Sequence, residues 1–258
     1  MTLISVISCA HNEEEYVDRF LKSLLNSLKG FHYEIIFVAD RCTDSTIRKV
    51  EKYSSYNIKI LKKNWRKWRN SYAEALQFGF ANSNGNLISI MDVDLIVPRH
   101  FFKVLVPKVK GRTASVAASI ITYPDTLMNK IIFAWEKTYR IAPLGKRPYG
   151  AARIIQRVAL ERVGGFRDVF STDTDLDLRL DRLGYESVVI PSIIVYHARR
   201  SSVRASVKRQ VRLGRGRYMI GFGLIRTIGH SIFRLKPFIL AGWLIERLQN
   251  PQKINPIH

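Results

Sequence analysis

Two aspartates separated by one residue, Asp92 and Asp94, directly follow a short apolar run at residues 87–91. Paired carboxylates of this kind bind hard divalent ions such as Mg²⁺ or Mn²⁺, and the ion can bridge two phosphate oxygens and neutralise a departing diphosphate. An Asp-x-Asp triplet alone also arises by chance and often caps a loop. Whether this pair does chemistry therefore depends on the elements that position it.

The first hundred residues alternate between strand and helix patterns. Apolar runs predict strands, with helical spacing between them, and the strands are expected at residues 3–8, 34–38, 57–61 and 86–91. Such alternation favours right-handed βαβ units and a parallel sheet, in which ligands bind beyond the carboxyl ends of the strands. We therefore expect the polar segments 12–14, 40–44 and 92–94 to meet at one edge of the sheet.

The rest of the chain has a mixed pattern. Strands are expected at residues 115–121, 150–156, 187–190 and 193–197, and helices at residues 126–141, at residues 173–183 and from residue 202 onward. The sequence contains no internal repeat, low-complexity segment or interdomain linker. We therefore expect one α/β domain, with residues 1–100 and 101–200 as its two halves, followed by a basic helical tail at residues 201–258.

Positive charge is concentrated in the tail. The chain has a formal net charge of +21, and residues 198–258 contain 13 lysines and arginines but one acidic residue, Glu246. Such a segment suits an anionic partner, which can be an acidic lipid surface, nucleic acid or a phosphorylated substrate. A highly charged, solvent-exposed surface is the alternative explanation.

Cysteine content and hydropathy bear on the location of the protein. Cys9 and Cys42 cannot form a disulfide framework and match no zinc-ligand spacing, which favours a reducing, cytoplasmic setting. Residues 1–7 lack the basic start of a signal peptide, and no stretch reaches the roughly 18–20 apolar residues of a spanning helix. Residues 225–249 mix apolar and basic side chains, so this segment either lies in a membrane interface or packs on the core. An interfacial tail implies peripheral contact with the cytoplasmic face of the membrane.

Four segments, in order, resemble motifs of the inverting family 2 glycosyltransferases. They are the first strand and its turn (residues 5–14), the second loop (residues 38–46), the Asp92-Val93-Asp94 triplet, and Gly164-Gly165-Phe166 followed by Thr172-Asp173. The resemblance extends over residues 3–216 and implies the GT-A fold, a mostly parallel twisted sheet flanked by helices. It also implies transfer of a sugar, with inversion, from a nucleotide diphosphate donor to an acceptor hydroxyl or phosphate. Residues 1–100 would then bind the nucleotide-sugar and residues 101–200 the acceptor.

The resemblance also implies a role for individual residues. Asp173 is the expected general base, because a carboxylate can take the acceptor's proton late in the step. Mn²⁺ or Mg²⁺ is the expected cofactor. The expected metal ligands are Asp92, Asp94 and His197, and the expected donor contacts are Ala10, Asn12, Glu14, Asp40, Arg69, Asn70, Asp92, Arg212 and Arg215.

The sequence departs from the family pattern at four places. Cys9 or Ala10 stands for the usual proline of the first turn, Ala39 for the first Asp of the second loop, Arg41-Cys42 for its Gly-Ser pair, and Thr172 for the Glu before the base. The nucleotide base therefore stays open. For the polar loop residues, turn and capping chemistry is the alternative interpretation, and an acidic helix start is the alternative for the segment around Asp173.

Two other functions fit parts of the sequence. Basic residues interleaved with tryptophans at residues 64–70 are typical of single-stranded nucleic-acid binding, but acidic clusters at three strand ends repel phosphates unless a metal intervenes. A metal-dependent nucleotidyltransferase would carry a Gly-rich phosphate loop after the first strand, where this chain has His-Asn-Glu-Glu-Glu. Sugar transfer to a saccharide or a lipid-linked acceptor is therefore the leading hypothesis, and we do not expect a nucleic-acid partner.

Overall fold

The structure is a computed structural model that describes residues 2–138, 150–199 and 202–250. Its strands are β1 (Leu3–Ala10), β2 (His32–Asp40), β3 (Ile58–Lys63), β4 (Leu87–Ile90), β5 (Leu95–Ile96), β6 (Thr113–Thr122), β7 (Arg153–Gln156) and β8 (Glu186–His197). Its α-helices are α1 (Val17–Ser27), α2 (Thr46–Glu51), α3 (Ser71–Ala81), α4 (Phe101–Leu105), α5 (Leu127–Thr138), α6 (Arg157–Arg162), α7 (Thr172–Arg182), α8 (Val203–Met219), α9 (Leu224–Phe233) and α10 (Phe238–Gln249).

The strands form a single sheet in the order β3-β2-β1-β4-β7-β6-β8-β5. The first four strands run parallel to one another, as does the pair β6 and β8. Strand β7 runs antiparallel to both of its neighbours, and β5 antiparallel to β8. The predicted fold class, a mostly parallel α/β sheet flanked by helices, is thereby confirmed.

One pair of predicted strands proved to be a single element. Residues 187–190 and 193–197 belong to the continuous strand β8, which pairs with β6 along most of its length. The register shifts between Ala118 and Ser119, where the partner changes from Ile190 to Ile194. Pro191 lies in this interval, and because proline has no backbone N–H it cannot donate to the ladder. The sequence pattern is interrupted at this point, but the strand continues through it with a shifted register.

The helix predicted at residues 126–141 corresponds to α5, and the last three residues of that prediction lie outside the described residues. In the part of the chain that the structure describes, no helix has the length and apolar character needed to cross a bilayer. Cys9 and Cys42 are both free thiols.

Helices α8 and α10 of the tail cross each other at very short range. A Cβ added to Gly214 would lie 1.9 Å from the carbonyl oxygen of Ile239, and one added to Gly242 would lie 2.0 Å from that of Val211. Both positions therefore require glycine, because any side chain would force the backbones apart. Gly216 makes a third close approach, here to Ser171 at the start of α7.

An ion-pair cluster around the buried Glu246 joins the tail to the segment before α3. The Glu246 carboxylate on α10 accepts hydrogen bonds from Arg69 at 2.7 and 2.9 Å and from Arg215 at 2.8 Å. Both guanidinium groups also lie over the ring of Phe170, at 5.5 and 5.0 Å from its centroid. For α8 and α10, the structure thus agrees with the alternative in which the tail packs on the core.

Candidate functional site

A cavity of about 410 Å³ opens at the carboxyl edge of the parallel strands. Its lining includes the ends of β1 and β2, the start of α3, the segment after β4, the end of β8 and one side of α8. The lining residues with polar or small side chains are Cys9, Ala10, His11, Glu13, Asp40, Ser71, Tyr72, Ala75, Asp92, Asp94, His197, Arg199, Arg209 and Arg212. The structure therefore brings Ala10, Asp40 and the Asp92–Asp94 pair together, as the topology of a parallel sheet requires.

Asp92 is held by a tyrosine from α3. The Tyr72 hydroxyl donates to Asp92 Oδ1 at 2.7 Å. Burial, together with the charge of Asp94, raises the pKa of Asp92 to about 6, against the effect of this hydrogen bond. Two carboxylates this close resist simultaneous ionisation, so a cation between them would be stabilised.

Asp94 is ionised and partly neutralised by cations. Its Oδ2 accepts from Arg199 Nε at 2.6 Å and lies 3.2 Å from His197 Nε2. Burial opposes ionisation, but the hydrogen bonds and charges of His197 and Arg199 hold the pKa of Asp94 at about 2. Burial and the charge of Arg199 lower the pKa of His197, but the hydrogen bond to Asp94 and the charges of Asp94 and Asp92 outweigh them and raise it.

The residues present fit a hard divalent ion. Asp94 Oδ1 is buried and has no hydrogen-bond partner in the structure, so one carboxylate oxygen beside Asp92 is left for a ligand. Within the three described ranges, no three carboxylate, imidazole or thiol side chains are already grouped as a metal site. His197 instead faces Asp94, and its role as a third ligand stays a prediction.

Arg199 was not predicted from the sequence, and Glu13 was predicted only as part of the polar segment 12–14, without a role of its own. Arg199, two residues beyond the end of β8, bridges Asp94 and Glu13, and its guanidinium lies 5.5 Å from the centroid of the Tyr16 ring. Glu13 Oε2 is buried without a partner. The sequence signal for Arg199 was weak, namely a cation just after a strand that ends at the functional edge of the sheet.

Asp173 lies in the first turn of α7, half-buried. Burial raises its pKa to about 7, the charge of Arg153 opposes this increase, and Asp177 and Asp92 add to it. Its charge in turn raises the pKa of Tyr72. Asp173 is therefore electrostatically coupled to the cavity, and a carboxyl group that titrates near neutral pH suits a general base.

Arg153 supports the region beneath Asp173. It lies on β7, its side chain is fully buried, and it donates to Ser115 Oγ at 2.6 Å and to Asp177. Ser187 Oγ also donates to Asp177, at 2.8 Å. The buried Arg153 guanidinium is therefore held by Asp177, which lies one helical turn after the candidate base Asp173.

Asn12 and Glu14 lie outside the cavity lining. Asn12 adopts a left-handed backbone conformation (φ 57°), and its Oδ1 accepts from the Thr43 N–H at 2.8 Å. Glu14 Oε2 accepts from the Ser45 N–H at 2.9 Å, just before α2. These contacts tie the first loop to the second, in agreement with the turn and capping interpretation, and donor contacts from these two residues stay a prediction.

Asp40 lines the cavity but its carboxylate already has two cationic partners. Arg41 donates to Oδ1 and Oδ2 at 3.0 Å each, and the fully buried Lys63 ammonium lies 3.0 Å from Oδ1. Burial alone would raise the pKa of Asp40, but these cations lower it. Lys63 also pairs with Glu74 at 2.8 Å.

Of the four remaining donor candidates, Arg212 lines the cavity. Arg69 and Arg215 bind Glu246, as described above. Asn70 is buried and donates through its side-chain amide to Val169 O at 2.6 Å and to Thr172 Oγ1 at 3.0 Å, so it positions the start of α7. Donor contacts from these four residues stay predictions.

The Trp/Arg segment at residues 64–70 is folded against its own protein. Arg66 donates to the carbonyl oxygens of Trp68 and Arg69, and Glu74 accepts from the backbone N–H groups of Lys67 and Trp68 at 2.7 and 3.1 Å. Because the basic side chain of Arg66 and the backbone are used internally, this geometry does not favour the nucleic-acid alternative.

Comparison with known proteins agrees with the motifs. A family profile described as "Glycosyl transferase family 2" matches residues 5–170. A probable glycosyltransferase of Bacillus subtilis (strain 168), YdaM, is 29% identical over 236 residues, which cover 83% of this chain and 54% of that protein. A dolichol-phosphate mannosyltransferase of Pyrococcus furiosus is 32% identical over 109 residues, which cover 42% of this chain and 30% of that protein. The chain thus spans about half the length or less of these two relatives.

Solved structures share the fold at lower identity. The mannosyltransferase PcManGT from Pyrobaculum calidifontis, in complex with GDP-Man and Mn²⁺, matches with a TM-score of 0.65 and 20% identity over 96% of this chain and 70% of that one. Glucosyl-3-phosphoglycerate synthase from Mycobacterium tuberculosis, in complex with Mn²⁺, UDP and phosphoglyceric acid, matches with a TM-score of 0.60 and 20% identity over 83% of this chain and 76% of that one. Because the family profile matches well over half of the chain, this protein belongs to glycosyl transferase family 2.

Proposed function

We propose that this protein transfers a sugar, with inversion at the anomeric carbon, from a nucleotide diphosphate donor to an acceptor hydroxyl or phosphate. The observation that carries the proposal is the cavity at the carboxyl edge of the sheet, which contains the Asp92–Asp94 carboxylates with an unpartnered oxygen and also two arginines of α8. Carboxylates for a cation and arginines for phosphate are the two parts that binding of a metal diphosphate needs.

Asp92 and Asp94 would hold the ion, Mn²⁺ or Mg²⁺, with His197 beside them. When bound, the ion supplies charge that neutralises the departing diphosphate. Arg212 and its neighbour Arg209 would bind phosphate oxygens from the side of α8, since a guanidinium donates two parallel hydrogen bonds to them. Two solved relatives in the fold carry Mn²⁺ in their complexes, which supports a divalent ion here.

Asp173 would act as the base. The acceptor oxygen forms a bond to C1 of the sugar, the bond between C1 and the diphosphate oxygen breaks, and the acceptor's proton passes to the Asp173 carboxylate. The pKa of about 7 supports this assignment, because such a group is ionised in much of the protein at neutral pH yet basic enough to accept the proton.

Ala10 and Asp40 would contact the nucleoside, since both line the cavity beside the metal pair. The base stays open between purine and pyrimidine, because similar folds have been solved with GDP-Man and with UDP. The acceptor in the proposal is a saccharide or a lipid-linked sugar or phosphate. The basic tail supports an anionic or membrane-bound acceptor and a peripheral, cytoplasmic protein.

A screen of nucleotide-sugars for metal-dependent release of nucleoside diphosphate tests the proposal. The wild-type protein should release product with Mn²⁺ or Mg²⁺ and lose activity with a chelator. Asp92→Asn and Asp173→Asn should each abolish transfer, whereas Asp181→Asn, which removes an exposed carboxylate from the same helix as Asp173, should leave it unchanged. Intact metal-dependent release by Asp92→Asn would show that the metal site is wrongly assigned.

A further inference from the structure

Helix α9 presents its polar side to the protein and its apolar side to solvent. The side chains of Thr227 and Ser231 are 0% and 6% exposed, whereas those of Ile225 and Ile232 are 86% and 64% exposed. Four further apolar side chains on and just after the helix are also exposed, namely Leu224, Ile228, Phe233 and Leu235. A helix on the surface of a globular protein ordinarily has the reverse arrangement.

The two sides are separated around the helix axis. At about 100° per residue, Ile225, Ile228 and Ile232 fall on one side, while Thr227 and Ser231 fall on the other. The Thr227 side chain is used within the protein, because its hydroxyl donates to Gly223 O at 3.0 Å. Arg217 of α8 also approaches that hydroxyl, at 3.4 Å. The outward apolar stripe is therefore a consequence of how α9 is fixed to α8.

Exposed cations lie near this stripe. Arg226, next to Ile225, is exposed, and Arg247 is exposed on the neighbouring helix α10. The single acidic residue of the tail, Glu246, is buried between its two arginine partners, so it does not offset these charges at the surface.

The charge pattern discriminates between possible occupants of the stripe. A second copy of the chain would bring like charges against these, on a protein with a net charge of +21. Nucleic acid would satisfy the cations but would leave the isoleucines against a phosphate backbone. An apolar stripe with arginines nearby matches the boundary between acyl chains and acidic headgroups, where both kinds of side chain are stabilised.

We propose that α9 docks the protein on an anionic lipid surface, with Ile225, Ile228 and Ile232 inserted at the headgroup boundary and Arg226 on the headgroups. The tail then has two parts with different tasks. Helices α8 and α10 fasten it to the rest of the protein through the close approach of Gly216 to Ser171 and the Glu246–Arg69 ion pair, and α9 carries the lipid contact. Docking needs neither donor nor metal, so it is measurable apart from sugar transfer.

Vesicle co-sedimentation of the full chain at low salt tests this proposal. Vesicles of phosphatidylcholine mixed with phosphatidylglycerol should pellet the wild-type protein, and pure phosphatidylcholine vesicles should pellet much less. The double variant Ile225→Ser/Ile232→Ser should bind the mixed vesicles on the order of 100-fold more weakly, roughly tenfold for each isoleucine. The matched control is Val158→Ser/Leu183→Ser, which removes two exposed apolar side chains from α6 and the end of α7 and should bind as wild type.

Circular dichroism of both double variants shows whether they are folded, and because all four positions are exposed we expect native spectra. Three results would overturn the proposal: no pelleting of the wild type, equal pelleting with and without phosphatidylglycerol, or equal losses in the two double variants. A dimer in sedimentation velocity that the Ile225→Ser/Ile232→Ser variant abolishes, without vesicle binding, would assign the stripe to self-association instead.

Discussion

Removing the Arg199 guanidinium should make the donor-free protein bind Mn²⁺ more tightly. In the structure this group donates to Asp94 Oδ2 at 2.6 Å and pairs with Glu13. A divalent ion bound by Asp92 and Asp94 must therefore share Asp94 with a cation that is already there. Without Arg199, the same carboxylates carry more uncompensated negative charge, which favours the incoming ion.

The magnitude follows from the kind of contact and its exposure. A hydrogen bond to a charged group contributes about 1.5–3 kcal/mol. The Arg199 side chain is 46% exposed, so solvent screening places its contribution at the lower end of that range. A difference of about 1.4 kcal/mol is a factor of ten in affinity, and we therefore expect the Mn²⁺ dissociation constant of Arg199→Ala to fall about tenfold.

Isothermal titration calorimetry with Mn²⁺ and no nucleotide measures this constant directly. Arg212→Ala is the matched control, because Arg212 lines the same cavity from α8. Its loss also removes one positive charge. The control should tighten Mn²⁺ binding by less than about threefold, since its effect is a screened one. An unchanged or weaker Mn²⁺ affinity in Arg199→Ala would refute the idea that Arg199 and Mn²⁺ compete for Asp94. Equal gains in affinity in the two variants would show only a general effect of positive charge near the cavity.

Three further predictions follow from pKa values and packing. The acid limb of kcat/KM against pH should fit a pKa above the ordinary aspartate value of 3.8 and no higher than the metal-free value of about 7, with activity falling as pH decreases, because the protonated carboxyl of Asp173 cannot accept a proton; a limb at or below 3.8 would exclude it as the titrating group. Gly214→Ala should lower the free energy of unfolding in urea by about 1–3 kcal/mol, because the added Cβ would clash with the carbonyl oxygen of Ile239. Its control is Gly229→Ala, which should leave the free energy of unfolding unchanged or raise it, because nothing lies within 4 Å of the added Cβ. Glu246→Gln should lower the free energy of unfolding by about 1–3 kcal/mol, because two arginines lose their charged partner; an unchanged urea midpoint would contradict this.

The strands were predictable because each is a short apolar run that ends at polar residues. The bounds of strands β1, β2, β3 and β4 differ from the predicted ones by about two residues or fewer, since buried strands leave a continuous apolar signal. Strand β5 has two residues and leaves no such signal. The continuity of β8 across Pro191 was equally inaccessible, because it depends on a register shift against β6.

The site was predictable where topology alone decides which residues meet. Asp40 ends β2, Asp92 and Asp94 follow β4, and the parallel sheet brings them together. Which of three consecutive glutamates faces the cavity depends instead on the left-handed backbone at Asn12, and the structure selects Glu13.

Contacts between residues that are far apart in the chain have no local signal in the sequence. Arg199 and Glu13 are 186 residues apart in the chain, and Arg69 and Glu246 are 177 apart. Neither pair has a local pattern, because each depends on how separate elements pack. A cation predicted for the donor can therefore be engaged by a carboxylate of its own protein, as Arg69 is.

The ionisation states around the cavity link metal binding to the base. Burial and the charge of Asp94 raise the pKa of Asp92 to about 6, and the charge of Asp92 contributes to the raised pKa of Asp173, about 7. A divalent cation held by Asp92 and Asp94 would offset the negative charge that Asp173 experiences from that side. Its pKa would then fall, and a larger fraction of Asp173 would be ionised at neutral pH. Binding of the metal ion and ionisation of the proposed base therefore favour each other electrostatically, which opposes activation of the acceptor before the ion is in place.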